Sequence, residues 1–361
     1  MKLLVVPEDL AAQVNNKKPT KKTYEQMKII VPMAGRGSRL RPHTLTVPKP
    51  LIPIAGKPIV QRLVEDIVSV CGDKKVTEIA FIIGDFGAEV EANLIKVAED
   101  LGAKGSIYYQ DKPLGTAHAI HCAADSMDDE IVVAFADTLF RADFTLDTEA
   151  DSVIWVKQVD NPSAYGVVQF GEDGTINNFV EKPQEFVSDK AIIGIYYFKD
   201  GPGLRNELQH ILDNNIMDKG EYQLTDALSS LLAQGKVFKP GTVNDWMDCG
   251  NKEITVETNS KMLGYLEGKP ELRGSNITLE NSTIIEPCYI GSNVVLKNAT
   301  VGPNVSLGND CVVEDATIEG SLIQTETTIK NIHLKDSMIG NKAHVDGKWT
   351  SLSLGDFSRM D

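Results

Sequence analysis

A segment rich in glycine and arginine near the start of the chain has the composition of a phosphate-binding loop. It spans residues 33–42, Met-Ala-Gly-Arg-Gly-Ser-Arg-Leu-Arg-Pro, and Lys49 follows in the run Pro-Lys-Pro. Glycines allow backbone N–H groups to approach phosphate oxygens closely, and Arg39 and Lys49 can neutralise phosphate charge. The apolar run at residues 29–31 is typical of a buried strand, so the pattern predicts a nucleotide-phosphate site after that strand.

Two common phosphate motifs do not fit this segment. A P-loop requires Lys followed by Ser or Thr after its last glycine, whereas Gly37 is followed by Ser38 and Arg39. A dinucleotide fingerprint requires a third glycine where Leu40 stands. The longer pattern instead resembles the signature of the sugar-1-phosphate nucleotidyltransferases, Gly-x-Gly-Ser/Thr-Arg-Leu-x-Pro-x-Thr followed by Pro-Lys-Pro-Leu-x-Pro and Gly-Lys-Pro. The resemblance extends over residues 27–345.

This resemblance implies an enzyme that transfers a nucleoside monophosphate to a hexose-1-phosphate and releases pyrophosphate. Arg39 and Lys49 would be its catalytic residues, because they would hold the triphosphate and stabilise the leaving pyrophosphate. Such an in-line transfer depends mainly on positioning and charge neutralisation. The residues implied to bind the nucleotide are Ala34, Gly35, Gly37, Ser38, Gln110, Gly115 and Thr116.

A second loop, at residues 109–119, resembles the family's base-recognition loop and reads Tyr-Gln-Asp-Lys-Pro-Leu-Gly-Thr-Ala-His-Ala. The carboxamide of Gln110 offers a donor and an acceptor, which match O4 and N3–H of uracil or thymine. Guanine presents the same pair on O6 and N1–H, so a mannose-1-phosphate guanylyltransferase remains an alternative to a glucose-1-phosphate thymidylyl- or uridylyltransferase. We expect UTP or dTTP to be used at least about tenfold better than GTP, because the N2 donor of guanine lacks an acceptor here. His118 is expected to be a helix residue near the site.

Two aspartates are candidate ligands of Mg²⁺. Asp137 follows an apolar run at residues 131–136, and magnesium prefers one or two carboxylates together with phosphate oxygens and water. The segment Asp-Trp-Met-Asp-Cys-Gly at residues 245–250 resembles the family's Trp-x-Asp-x-Gly, which implies Asp248 as the second ligand. The family usually has glycine before the first aspartate, where this chain has Ala136.

The sugar-phosphate half of the site is implied by two further segments, Tyr-Gly-Val-Val at residues 165–168 and Phe-Val-Glu-Lys-Pro at residues 179–183. In the resemblance, Gly166 brings the backbone to a hexose hydroxyl, Glu181 accepts hydrogen bonds and Lys182 holds the phosphate. Gly194, Glu221 and the turn at Thr225 and Asp226 would close the pocket.

These loops require a scaffold that brings strand ends together. Over residues 27–268 strand-like runs alternate with amphipathic stretches such as residues 59–70 and 88–101. The alternation predicts an α/β, Rossmann-like domain with a mainly parallel sheet and helices on both faces. Thr225 is a plausible N-cap of a later helix.

The C-terminal part has a different spacing of apolar residues. Aliphatic residues recur every five or six positions and are often followed by glycine, as at Ile290, Val301 and Ile339. This hexapeptide repeat predicts a parallel β-helix at residues 269–350 with about four coils, left-handed by the resemblance, and a tail at residues 351–361. Open coil faces favour a homo-oligomer. A second, acyltransferase activity of this domain would have to rely on its two histidines, His333 and His344.

Composition narrows the remaining classes. The 361 residues exceed a typical single core, so two separate cores are expected. A net charge of −15 argues against nucleic acid or an anionic membrane as partner. Five scattered cysteines and the lack of a long apolar run predict a cytoplasmic protein, with residues 1–26 as a mobile extension. A catalytically silent nucleotide-sugar-binding subunit would be expected to lack Arg39, Lys49, Asp137 or Asp248, and all four are present.

Overall fold

The computed structural model describes residues 26–35, 37–141, 146–347 and 351–360. The predicted mobile extension lies outside these residues, except for Gln26, which already belongs to the first strand. The described chain forms an α/β domain followed by a parallel β-helix.

Helices and strands alternate through most of the α/β domain. Its strands are β1 (Gln26–Pro32), β2 (Pro53–Ile54), β3 (Lys57–Pro58), β4 (Lys75–Ile83), β5 (Lys104–Tyr109), β6 (Glu130–Ala134), β7 (Thr138–Arg141), β8 (Ser152–Gln158), β9 (Gly166–Phe170), β10 (Ile176–Glu181), β11 (Lys190–Phe198), β12 (Phe238–Thr242) and β13 (Asp245–Asp248). Its helices are α1 (Ile59–Val70), α2 (Ala88–Asp100), α3 (Thr116–His121), α4 (Gly201–Asp213), α5 (Leu224–Ala233) and α6 (Lys252–Tyr265).

The central sheet has nine strands in the order β5-β4-β1-β6-β11-β8-β12-β10-β9. The first four strands are parallel, as predicted. Strand β11, however, runs antiparallel to both β6 and β8, and β9 and β10 form an antiparallel hairpin. The connection between β9 and β10 is too short for a parallel crossover, which needs a dozen residues or more. The sheet is therefore mixed rather than mainly parallel.

The β-helix is built from short strands that stack coil upon coil. These are β14 (Thr278–Glu280), β15 (Thr283–Ile284), β16 (Cys288–Ile290), β17 (Val295–Lys297), β18 (Thr300–Val301), β19 (Val305–Leu307), β20 (Val312–Glu314), β21 (Thr317–Glu319), β22 (Leu322–Ile323), β23 (Thr328–Lys330), β24 (His333–Lys335), β25 (Met338–Ile339), β26 (His344–Asp346), β27 (Ser353–Leu354) and β28 (Arg359–Met360). As far as the chain is described, they form parallel sheets of six, four and five strands.

The end of the β-helix differs from the prediction. Strand β27 pairs with β25 and β28 pairs with β26, so residues 351–360 form a last coil rather than a tail. The sheet of six strands also exceeds the predicted number of about four coils. The prediction failed here because the repeat shortens: the coil offset falls from 17 residues between Asn281 and Asn298 to 15 between Asn331 and Asp346.

One hydrophobic cluster is shared by the two domains, although each domain also has a cluster of its own. Leu322 and Met338 of the β-helix belong to the same buried cluster as Ile52 and Met262 of the α/β domain. The fully buried Asn259 joins the same interface, because its Oδ1 accepts hydrogen bonds from the backbone N–H of residue 55 at 2.9 Å and from the hydroxyl of residue 306 at 2.8 Å. A further cluster fills the interior of the β-helix itself.

All five cysteines are free, and four of them are buried. Among the helices of the described ranges, none combines the length and the apolar character needed to cross a membrane.

Candidate active site

The glycine-rich loop leaves the end of β1 and folds back on itself. Gly37 has a φ of +58°, and a Cβ at this position would lie 2.8 Å from the Cβ of Lys49. The hydroxyl of Thr44 donates a 2.8 Å hydrogen bond to the carbonyl oxygen of Gly37. Only glycine fits this conformation and this close approach without strain. The fold-back brings Arg39 and Lys49 to the wall of one cavity.

A short ribbon of two strands brings the predicted metal ligands together. Strand β13 pairs antiparallel with β7, and Asp248 stands opposite Thr138. The backbone N–H of Cys249 donates to the carbonyl oxygen of Asp137 at 3.1 Å. The side-chain nitrogen of Lys49 lies 3.1 Å from Oδ2 of Asp137. The ribbon therefore assembles two carboxylates and a lysine that are far apart in the sequence.

Burial and the charges of Lys49, Asp137 and Arg39 shift the pKa of Asp248. Burial raises the pKa of the Asp248 carboxyl, the charge of Asp137 raises it further, and Lys49 and Arg39 oppose the rise. The Lys49 side chain is 8% exposed, whereas that of Asp137 is 48% exposed. Asp137 therefore presents its carboxylate to the open cavity, while the buried Lys49 supplies positive charge next to it.

All the residues predicted to bind the nucleotide line one cavity of about 390 Å³. The base-recognition loop forms one wall of it. Gly115 has a φ of +114°, and a Cβ there would lie 2.4 Å from the carbonyl oxygen of Tyr222. Two backbone hydrogen bonds, from Tyr222 to Leu114 and from Ala117 to Tyr222, pin the loop in place. The predicted residues in this wall and in the glycine-rich loop are Ala34, Gly35, Gly37, Ser38, Gln110, Gly115 and Thr116.

The amide of Gln110 is already engaged within the protein. Its nitrogen donates to the carbonyl oxygen of Gly115 at 3.2 Å and lies 3.0 Å from Nδ1 of His118. An amide nitrogen has two hydrogens, so both are used by these contacts. The sequence-based expectation was that Gln110 offers both a donor and an acceptor to the base. In this structure only its oxygen is available for that purpose.

A second cavity of about 250 Å³ adjoins the first, and Arg39, Thr116, Phe135 and Asp137 line both. The predicted sugar-phosphate residues that line it are Gly166, Glu181, Lys182 and Gly194. Glu181 stands opposite Gly166 in the β9–β10 hairpin. Its carboxylate lies 3.2 Å from Nζ of Lys182.

The placement of Asp226 differs from the prediction. Helix α5 begins at Leu224, one residue before the predicted N-cap Thr225, and its N-cap is Gln223. As a result, Leu224 and Thr225 line the second cavity, whereas Asp226 is not among the described residues that do so. Thr225 donates to a carboxylate oxygen of Glu181 at 3.4 Å. Of the two residues expected in this turn, Thr225 therefore lines the second cavity and Asp226 does not.

Aromatic side chains of the site were missed by sequence reasoning. Phe135 lines both cavities, because β6 ends at Ala134 and the chain has already left the sheet. Tyr165 and Trp246 pack edge to face in the wall of the second cavity, with their ring centroids 5.1 Å apart. The signal for Trp246 was available, since it is the tryptophan of the Trp-x-Asp-x-Gly segment.

Residues 28–264 match the family model of nucleotidyl transferases. The chain belongs to the nucleotidyl transferase family. The matched residues contain the glycine-rich loop, the base-recognition loop and both aspartates of this nucleotidyl transferase, and the β-helix lies beyond them.

Curated relatives of this nucleotidyl transferase cover the same part of the chain. It is 33% identical to the low-salt glycan biosynthesis nucleotidyltransferase Agl11 of Haloferax volcanii, over 66% of this chain and 66% of that protein. It is 33% identical to the bifunctional protein GlmU of Methanococcus maripaludis, over 72% of this chain and 60% of that protein. It is 29% identical to a glucose-1-phosphate thymidylyltransferase of Streptomyces antibioticus, over 72% and 71%. The chain thus spans 60 to 66% of the length of the first two relatives.

A solved structure has the same fold. The crystal structure of a UDP-glucose pyrophosphorylase complexed with UDP-glucose matches this nucleotidyl transferase with a TM-score of 0.53 and 22% sequence identity, over 67% of this chain and 99% of that chain.

Proposed function

We propose that this nucleotidyl transferase transfers a nucleoside monophosphate from UTP or dTTP to a hexose-1-phosphate, with glucose-1-phosphate as the first candidate. One observation carries the proposal: the two cavities meet at Arg39 and Asp137. A triphosphate in the first cavity and a sugar phosphate in the second would face one another at this junction. The name of the Streptomyces antibioticus relative, glucose-1-phosphate thymidylyltransferase, favours dTTP and glucose-1-phosphate among these substrates.

The proposed reaction is a single in-line displacement. An oxygen of the sugar phosphate attacks the α-phosphorus, the bond from that phosphorus to the bridging oxygen breaks, and pyrophosphate leaves. Arg39 and Lys49 neutralise charge on the triphosphate, and the backbone N–H groups of the glycine-rich loop hold its oxygens. Glu181 and Lys182 orient the sugar phosphate, which reduces the entropy cost of bringing the reacting atoms together.

We also propose that Mg²⁺ is the cofactor and that Asp137 and Asp248 hold it. The donor set fits, because magnesium prefers carboxylates together with phosphate oxygens and water. The two carboxylates also repel one another, since the charge of Asp137 raises the pKa of Asp248. When bound, the ion would neutralise charge on the reacting phosphates.

A mannose-1-phosphate guanylyltransferase is the second candidate, and a specific observation keeps it. The available oxygen of Gln110 can accept N1–H of guanine as well as N3–H of a pyrimidine. The silent-subunit alternative is less favoured, because Arg39 and Asp137 line the junction, Asp248 lines the second cavity and Lys49 is paired with Asp137.

The β-helix offers little support for an acyltransferase site. His333 lies in β24 and His344 in β26, which belong to different sheets. We propose instead that this domain serves a homo-oligomer, because its first coil exposes Leu279 (51%) and Ile285 (43%). The substrates proposed here are metabolites of the cytoplasm, where we expect the protein to act.

A product assay tests the proposal directly. UTP, dTTP, GTP, CTP and ATP are each paired with glucose-1-phosphate and mannose-1-phosphate in the presence of Mg²⁺, and pyrophosphate release and nucleotide-sugar formation are measured. We expect the highest rate with UTP or dTTP and glucose-1-phosphate. A preference for GTP and mannose-1-phosphate would establish the second candidate, and a lack of turnover with these and other hexose-1-phosphates would support the silent subunit.

A further inference from the structure

His118 stands directly behind the residue proposed to read the base. We propose that His118 is a positioning residue that sets base preference by holding the Gln110 amide with its oxygen toward the nucleotide cavity. This inference rests on the proposed function and deepens it. It concerns a residue that sequence reasoning treated only as part of a nearby helix.

The orientation of the Gln110 amide follows from two contacts. The carbonyl oxygen of Gly115 only accepts hydrogen bonds, so the group that faces it at 3.2 Å must be the amide nitrogen. Nδ1 of His118 lies 3.0 Å from the same nitrogen. If the amide were turned over, its oxygen would face the Gly115 carbonyl oxygen and the two would repel. Gly115 and His118 therefore fix the orientation of the amide together, and these two contacts form a two-point lock.

The contact also determines the state of the imidazole. Because the amide nitrogen is a donor, Nδ1 of His118 must accept, and the proton of the neutral ring must lie on Nε2. Burial, with a smaller contribution from the charge of His121, lowers the pKa of His118. The neutral, accepting form is therefore favoured near neutral pH.

The lock has a chemical consequence for the nucleotide. Gln110 lines the cavity, and none of the described residues donates a hydrogen bond to its side-chain oxygen. An oxygen held toward the base accepts N3–H of uracil and thymine or N1–H of guanine. The corresponding ring nitrogens of cytosine and adenine carry lone pairs and would be repelled. The geometry thus selects uracil, thymine and guanine, whose ring nitrogen carries a hydrogen at this position, over cytosine and adenine, whose ring nitrogen carries a lone pair.

The test compares two triphosphates on one enzyme preparation. The value of kcat/KM is measured for the best substrate and for the triphosphate whose ring nitrogen carries a lone pair instead of a hydrogen. This second triphosphate is CTP for UTP or dTTP and ATP for GTP. The ratio of the two values does not depend on the folded fraction, because both substrates meet the same protein. The variants are His118→Ala, which removes the acceptor, and His118→Asn, whose Oδ1 can accept in place of Nδ1. His121→Ala is the matched control, since it alters a histidine on the same helix outside this contact.

We expect His118→Ala to lower the selectivity ratio about fivefold, because one neutral hydrogen bond no longer opposes rotation of the amide. His118→Asn should restore the ratio to within about twofold of the original, and His121→Ala should leave it unchanged. An unchanged ratio in His118→Ala would overturn the inference, as would an Asn variant that is as unselective as the Ala variant. Failure of the proposed function is distinguishable, because it would appear in the unmodified enzyme as a lack of turnover with every triphosphate.

Discussion

The hydroxyl of Thr46 donates a 2.5 Å hydrogen bond to Oδ2 of Asp356, although the two residues are 310 positions apart. Thr46 lies between Arg39 and Lys49, the two proposed catalytic residues, and Asp356 lies in the last coil of the β-helix. The other oxygen of Asp356 accepts the backbone N–H of Asn341 at 2.7 Å. A second contact joins the same segments, because Nε2 of His43 lies 3.2 Å from the hydroxyl of Ser353. The last coil therefore holds the loop that carries Arg39 and Lys49.

Replacement of Asp356 by Ala should reduce activity beyond what its effect on stability explains. The lost contact to Thr46 is exposed and the one to Asn341 is partly buried, so the free energy of unfolding should fall by about 1–2 kcal/mol. The loop, however, loses a restraint next to Lys49, and a displacement of catalytic groups is costly even when it is small. We expect kcat to fall roughly three- to tenfold. Steady-state kinetics and thermal unfolding measure the two effects separately.

Asp346→Ala is the matched control for this prediction. Asp346 also belongs to the β-helix and also accepts a hydrogen bond from an asparagine of the preceding coil, Asn331, at 2.7 Å. It lies outside the Thr46 contact. Equal losses of kcat in Asp346→Ala and Asp356→Ala would show that general disturbance of the β-helix, rather than loss of the loop contact, is responsible.

Removal of residues 270–361 should destabilise the α/β domain. The truncation takes away Leu272, Leu322 and Met338, which belong to the core cluster of that domain, and it exposes the apolar side chains they cover. It also leaves the buried Asn259 without the hydroxyl of Ser306. We expect a melting temperature several degrees lower, together with aggregation, in differential scanning calorimetry and light scattering. A truncated protein as stable as the full chain would contradict the shared core.

The fold was predictable where a local pattern determines it. The amphipathic period predicted a helix at residues 59–70, and α1 has those bounds because Ile59, Leu63 and Ile67 lie on its buried face. Strand direction was not predictable in the same way. The direction of β11 depends on which strands flank it, and that depends on contacts between distant segments rather than on its own residues.

The candidate site, like the fold, could be predicted only where the sequence carries a local signal. The residues predicted to form the two nucleotide loops line one cavity, because glycines and cations at close spacing carry a local signal. Asp226 does not line the cavity, because the N-cap of α5 is Gln223, two residues before the predicted Thr225, and consecutive side chains on a helix point about 100° apart. The contact between Thr46 and Asp356 has no local signal, because it forms only when the β-helix packs on the loop.

Replacement of Asp137 or Asp248 by Asn should lower kcat at least about 10²-fold while leaving the fold intact. A neutral amide keeps the shape of the side chain but binds Mg²⁺ poorly. The measurement is the rate as a function of Mg²⁺ concentration, with circular dichroism to verify folding. Asp100→Asn, at an exposed position in α2, is the control. Near-normal rates in either site variant at saturating Mg²⁺ would refute the metal assignment.

His43 connects the loop to the β-helix and has an unusual protonation equilibrium. Its side chain is buried, and Nδ1 has no hydrogen-bond partner among the described residues. Burial lowers the pKa of His43 from 6.5 to about 4, and the charge of Lys252 also lowers it, while Asp356 acts in the opposite direction. The folded state therefore favours the neutral ring, whereas the unfolded chain takes up a proton below about pH 6.5.

The consequence is a loss of stability on acidification that depends on this residue. The contribution of His43 is fully present above pH 6.5 and is lost as the pH falls toward 4, because only the unfolded state gains the proton in that window. His43→Gln removes this titration, so its melting temperature should fall less than that of the unmodified protein between pH 7 and pH 4.5. Asp66, whose pKa burial raises to about 6, contributes with the opposite sign. Asp66 is present in both proteins and cancels in the difference between them. Equal falls in the melting temperature of the two proteins across this pH range would refute the assignment, since they would show that His43 is not held neutral in the folded state.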